Sequence, residues 1–163
     1  MATIAARAMQ FFHKNGGACE MDTVNTASSA HTEGDLLVRV NNIGTICAQN
    51  AATISFLAPT AAANTIPGST AGDMPLIKVR AGDEFEATLF HSTASSAVLA
   101  DADIDDRVSY GLIRGTISSQ VGFYVNKGDT SNAVCEIVKR LDGAADLYPR
   151  VVIHFNPSYL TFR

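Results

Sequence analysis

The chain has 163 residues, of which 47% are hydrophobic and 17% charged, a balance typical of a globular domain and not of a disordered chain. Its net charge is −4 and its longest basic cluster is Lys139-Arg140, which disfavours nucleic-acid binding through phosphate neutralisation. No window is long and apolar enough for a membrane-spanning helix, and the first residues lack a signal-peptide pattern. These features predict a soluble protein made in a cytoplasm.

Residues 1–12 are rich in alanine and end in Phe11-Phe12. Terminal segments are ordered only when they dock on something. We therefore predict an N-terminal arm at 1–12, which either closes the core or lies on a partner, followed by one β domain at 13–163.

The first half of that domain reads as short strands separated by small polar residues. The predicted strands are 18–24, 35–40, 43–48 and 52–57, with a tight turn at Asn41-Asn42. In the second of them Leu36, Val38 and Val40 share one face. Residues 58–74 have no period and contain two prolines and two glycines, which predicts a long loop. That loop is a surface excursion, a contact with a neighbouring subunit or lattice, or a linker between two domains.

The clearest hairpin signal joins residues 75–80 to residues 84–91 through Ala81-Gly82-Asp83. In that pairing Lys78 and Arg80 oppose Glu84 and Glu86.

Strands at 107–114 and 116–125 flank Gly115, and residues 121–163 read as a β-meander. Within it, 133–141 is ambiguous. Val134, Ile137, Val138 and Leu141 have helical spacing, while Cys135, Ile137 and Leu141 share a strand face. Strands on both sides favour a strand there. Val151, Ile153 and Phe155 face inward, which turns His154 outward. The predicted fold class is all-β, a small barrel or sandwich with long loops and at most one short helix.

No catalytic constellation is visible, which predicts a protein that is not an enzyme and has no cofactor. The acidic run 101–106 begins like an EF-hand loop, but the glycine position is Asp106 and the twelfth position is Leu112. A solvated loop is favoured over a different calcium site. The histidines are scattered, and phosphate-loop, dinucleotide and zinc motifs are absent from the sequence. Three widely spaced cysteines indicate buried free thiols, or one disulfide and one thiol.

Two segments, IKVRAGDEFEATL at 77–89 and YPRVVIHF at 148–155, resemble capsid decoration (cement) proteins of tailed bacteriophages, as do the small-residue loops and the N-terminal arm. The resemblance implies a small β-barrel or β-tulip on the outside of a phage head. It also implies a homo-oligomer, dimer or trimer, that bridges neighbouring major capsid subunits, with neither nucleic acid nor membrane as a partner. Localisation would then be the virion exterior.

A protein of this kind works by adhesion, so apolar residues near the termini are the predicted contacts. They are Phe11, Phe12, Tyr159, Leu160 and Phe162. The alternative function is a small-molecule or glycan-binding β-sandwich module. An aromatic content of 7% with no tryptophan disfavours that alternative.

Overall fold

The computed structural model describes residues 9–13, 20–25, 31–41, 43–50, 53–58, 73–93, 97–105, 107–117, 119–143 and 146–162. Over these residues the chain is all-β, with one five-residue helix and one 3-10 turn, which confirms the predicted fold class. The elements are β1 Gln10–His13, β2 Met21–Asn25, β3 Leu36–Val40, β4 Ile43–Ile46, β5 Phe56–Leu57, β6 Asp73–Lys78, β7 Glu84–Phe90, α1 Asp101–Asp105, β8 Ser109–Ile117, β9 Gln120–Asn126, β10 Cys135–Arg140, β11 Arg150–Phe155 and the 3-10 turn Pro157–Tyr159.

The strands form two sheets. The first sheet has the order β2-β4-β3-β5-β6 and closes on itself as a small barrel. Its neighbours are antiparallel except for β2 and β4, which run parallel and meet at Asn25 and Ile43. The second sheet has the order β1-β7-β11-β10-β8-β9, and a parallel pairing of Leu89 with Val125 joins β9 back to β7.

One hydrophobic core runs between the two sheets. Leu36 and Ile77 of the first sheet belong to the same buried cluster as Phe85 and Phe155 of the second. The two phenylalanine rings meet edge to face, with centroids 5.2 Å apart. The predicted arm includes the start of β1, where Phe11 pairs with Phe85, while residues 1–8 lie outside the described part of the chain. The division into arm and domain stays a prediction.

The predicted hairpin of β6 and β7 is wrong, although both strands and the turn between them exist. The Asp83 N–H donates to the Arg80 carbonyl at 3.3 Å, and Gly82 has a φ of 83°. However, β6 pairs with β2 and β5, whereas β7 pairs with β1, β11 and β9. The turn therefore carries the chain from one sheet to the other. Alternation of apolar residues fixes the buried face of a strand but not its neighbour, so the pattern fitted both arrangements.

The predicted charge pairs across that hairpin are replaced by pairs to other strands. Arg80 contacts Glu20 at 2.5 Å, and Arg150 of β11 contacts Glu86 at 3.2 Å.

The predicted meander is also wrong in its strand order, because β8 lies between β9 and β10. The β8–β9 hairpin reverses between Ile117 and Gln120, where Ser119 has a φ of 69°. Gly115 is therefore not a break but a strand residue that faces Gly122 across the pair.

Residues 135–140 form a strand, as predicted, and the helical spacing has a local cause. Ile137 pairs with Ile153, and Lys139 pairs with the preceding Val152, so the register shifts by one residue between them. Such a β-bulge breaks the two-residue period of a strand. Val151, Ile153 and Phe155 are buried, as predicted.

Candidate interaction surface

The C-terminal tail that was predicted to contact a partner is built into the first sheet. The Ile54 N–H donates to the Tyr159 carbonyl at 2.7 Å, and the Thr161 N–H donates to the Ile54 carbonyl at 2.9 Å. Leu160 lies between them in a parallel bridge with Ile54 and is 3% exposed. Tyr159 is half-buried and packs against the same core.

The last described residue, Phe162, is half-buried on the other side of the tail. Its ring meets Phe56 edge to face, with centroids 5.5 Å apart, and packs against a second apolar cluster. Phe11 and Phe12 lie in β1, and their side chains are outside the described part of the molecule. Among the predicted contact residues whose side chains are described, Leu160 and Phe162 pack against different apolar clusters, and Leu160 reaches a partner only if the tail leaves the core.

Another set of apolar side chains faces solvent on the first sheet. Val40 and Ile43 are direct partners across the β3–β4 turn and are 50% and 37% exposed. Met21 of β2 is 49% exposed, but it pairs with Ile77 at the opposite end of β2 from the contact of Asn25 with Ile43, and so lies apart from the other two. We call Val40 and Ile43 the apolar patch.

The sequence pattern missed this patch because it assigned Val40 the same face as Leu36 and Val38. Burial fades along β3, from Leu36 in the core to Val40 at the turn. Asn41 follows with a φ of 50° and starts the predicted tight turn. The sequence signal that could have indicated the patch is the apolar residue on each side of this turn, since residues at the ends of strands project into solvent.

Two polar ties fix the first sheet to the second, and the first is an ion pair. Asp35 is fully buried and accepts from Arg114 Nε at 2.8 Å and from Arg114 Nη2 at 3.0 Å. It also accepts from the Thr32 N–H at 2.8 Å. The hydrogen bonds to Asp35 raise the pKa of the Arg114 guanidinium above its usual value.

The second tie joins Asn50 to strand β8 and to the turn that follows β9. Asn50 Nδ2 donates to Asp129 at 2.8 Å, and the Leu112 N–H donates to Asn50 Oδ1 at 2.7 Å. Burial alone would raise the pKa of Asp129, but hydrogen bonds from Asn132, Asn50 and Ser131 together lower it. Both ties make the two sheets one rigid support for a surface feature.

Residues 101–105 of the acidic run form a helix and not the predicted loop, and Asp103 bonds to three neighbouring groups. Asp103 accepts from the Ala100 N–H at 2.8 Å, from the Tyr110 hydroxyl at 2.8 Å and from Lys127 Nζ at 2.7 Å. Burial alone would raise the pKa of Asp103, but the hydrogen bonds from Lys127 and Tyr110 have the larger effect and lower it. Among the described residues, no group of three His, Cys, Asp or Glu side chains is placed to hold a metal ion.

His154 faces outward in β11, as predicted, and is flanked by two carboxylates. Its Nε2 lies 3.7 Å from Glu84 and its Nδ1 lies 3.8 Å from Glu136. A small recess beside Glu136 is also lined by Arg107 and Ile104.

Cys47 and Cys135 are buried free thiols, as predicted, while Cys19 lies outside the described residues. Burial raises the pKa of Cys47 to about 12, which makes this thiol a poor nucleophile at neutral pH.

No helix in the described part of the chain is long and apolar enough to cross a membrane. Comparisons with protein-family models, with curated proteins and with solved structures found no match for this chain.

Proposed function

We propose that this chain is a structural virion protein that binds the outer surface of a tailed-phage head and cements neighbouring major capsid subunits as a homo-oligomer. The observation that carries the proposal is the solvent-facing pair Val40 and Ile43, held at the turn of a closed sheet. Adjacent exposed apolar side chains on an ordered surface are a usual mark of a protein-binding site. The resemblance of 77–89 and 148–155 to decoration proteins supports the identity of the partner.

The rest of the molecule suits a binding role because it makes the surface rigid. The shared core and the Asp35–Arg114 tie hold the two sheets together. A surface that is ordered before binding loses little conformational entropy on association.

The contact energy of the apolar patch is modest for one molecule. Fully burying a Val or Ile side chain contributes roughly 1.5–3 kcal/mol, so the exposed parts of the two side chains contribute roughly 1–3 kcal/mol. Several copies bound to one lattice add avidity to this value. A protein that binds only assembled subunits stabilises the assembly by mass action.

Co-sedimentation with empty shells assembled from a tailed-phage major capsid protein tests the proposal. We expect the wild-type protein to pellet with shells and Val40→Glu to bind at least about tenfold more weakly, since it brings a charge into an apolar contact. Val98→Glu is the matched control, because Val98 is 44% exposed but lies outside the patch. A wild-type protein that stays in the supernatant at saturating shell concentration contradicts the proposal.

A glycan-binding module is the second candidate, and one observation favours it. Phe90, the last residue of β7, and Tyr148, in the loop before β11, are half-buried and stack, with centroids 6.4 Å apart and planes inclined by 19°. Exposed aromatic faces bind sugar rings in such modules. Calorimetric titration with oligosaccharides, with Phe90→Ala as the comparison, decides between the two functions.

A further inference from the structure

Cations and aromatic rings alternate across one face of the first sheet. The Arg39 guanidinium lies 5.7 Å from the centroid of Phe56, whose ring contacts Phe162. Lys78 Nζ and Arg80 Cζ lie 5.6 Å and 6.0 Å from the centroid of Phe162. We call these five residues the cation–aromatic face. Its members come from β3, β5, β6, the turn after β6 and the tail, so only the folded chain assembles it.

The positive charge of this face is only partly neutralised. Asp22 lies 3.5 Å from Arg39, and Glu20 lies 2.5 Å from Arg80. Within the described part of the chain, Lys78 contacts the Phe162 ring but no carboxylate. Three cations therefore face two carboxylates, although the whole chain has a net charge of −4.

We propose that the cation–aromatic face binds a carboxylate-rich segment of a protein partner. The identity of that partner as a shell subunit rests on the proposed function, while the chemistry of the face does not. The inference rests on charge complementarity. The face already binds two carboxylates of its own chain, and its third cation, Lys78, contacts no carboxylate in the described part of the chain. The Arg39 and Arg80 side chains are about one-third exposed, which leaves room for a partner to approach them.

The same carboxylates select against nucleic acid. A phosphate backbone laid along the face meets Glu20 and Asp22 as well as the cations, and like charges brought together are repelled. A short peptide can place one or two carboxylates beside Lys78 and avoid both. The aromatic rings hold the cationic stems in place, which reduces the entropy lost when a carboxylate binds.

Fluorescence polarisation with a labelled oligoglutamate peptide tests the face on the full-length protein, without shells. We expect saturable binding that weakens as salt is raised. Lys78→Glu should weaken it by about tenfold and Lys78→Gln by about threefold, since each removes the uncompensated cation. Lys139→Glu, on an exposed residue of β10, is the matched control and should leave binding within about twofold. Thermal melts of all variants establish that they are folded.

Two results overturn the inference: no saturable binding by the folded wild-type protein, or equal losses in Lys78→Glu and Lys139→Glu. Tighter binding of a single-stranded oligonucleotide of equal charge also overturns it, in favour of nucleic acid. The proposed function is judged separately, by co-sedimentation of the same variants with shells. Shell binding that is unaffected by Lys78→Glu leaves the cement proposal standing and removes this face from it.

Discussion

Leu160 distinguishes a tail that completes the fold from a tail that serves as a contact arm. Its side chain is 3% exposed and belongs to the core shared by the two sheets. Leu160→Ala removes three carbon groups, which at roughly 0.8 kcal/mol each accounts for about 2.4 kcal/mol of lost burial. The residual cavity adds to this loss, so we expect the free energy of unfolding to fall by about 3 kcal/mol.

Urea denaturation at equilibrium measures this loss, and a thermal melt should show a midpoint lower by about 6–12 °C. Ser158→Ala is the matched control in the same tail, because Ser158 is exposed, and it should change stability by less than about 0.5 kcal/mol. Folded Leu160→Ala should still bind shells with wild-type affinity. Unchanged stability together with lost shell binding would refute the reasoning and restore the tail as a contact arm.

Two further predictions concern the polar groups that support the surface. Arg114→Met leaves the fully buried Asp35 carboxylate without its cation and should lower the free energy of unfolding in urea titrations by about 3 kcal/mol. Arg140→Met breaks a pair whose Asp101 carboxylate is exposed and should cost less than about 1 kcal/mol. Equal losses in the two variants would contradict the role of burial. Because the pKa of Asp103 is lowered in the folded state, the ionised carboxylate stabilises the fold above its ordinary pKa of about 3.9. This stabilisation is lost as pH falls through the lower pKa that Asp103 has in the folded state. The stability difference between wild type and Asp103→Asn should therefore be largest near neutral pH and shrink below about pH 4; a difference independent of pH would contradict this account.

Much of the strand content was accessible from the sequence, because alternation and turn residues are local properties. The strand after Asn41 and the buried faces of β10 and β11 follow from such patterns. The partners of β6 and β7 do not, since the same alternation satisfies a hairpin and a passage between sheets. The bulge after Ile137 also escapes the pattern, because it shows only when the neighbouring strand is in place.

The candidate surface was harder to predict than the fold. An apolar residue near a chain end reads equally as a contact or as core, and only the bridge between Ile54 and Leu160 decides which. Val40 carries an ordinary strand signal, and its exposure depends on where β3 leaves the core. The cation–aromatic face joins residues as far apart as Arg39 and Phe162, a juxtaposition that no local spacing encodes.

The thermal stability of the shell tests the cement proposal most directly, because stabilising assembled subunits is the function itself. Calorimetry of empty shells with increasing amounts of the protein should show a melting temperature that rises and then saturates when the sites are filled. Val40→Glu should require a higher concentration for the same rise, while Val98→Glu should match wild type. A shell melting temperature that does not change at saturating wild-type protein would contradict the proposal.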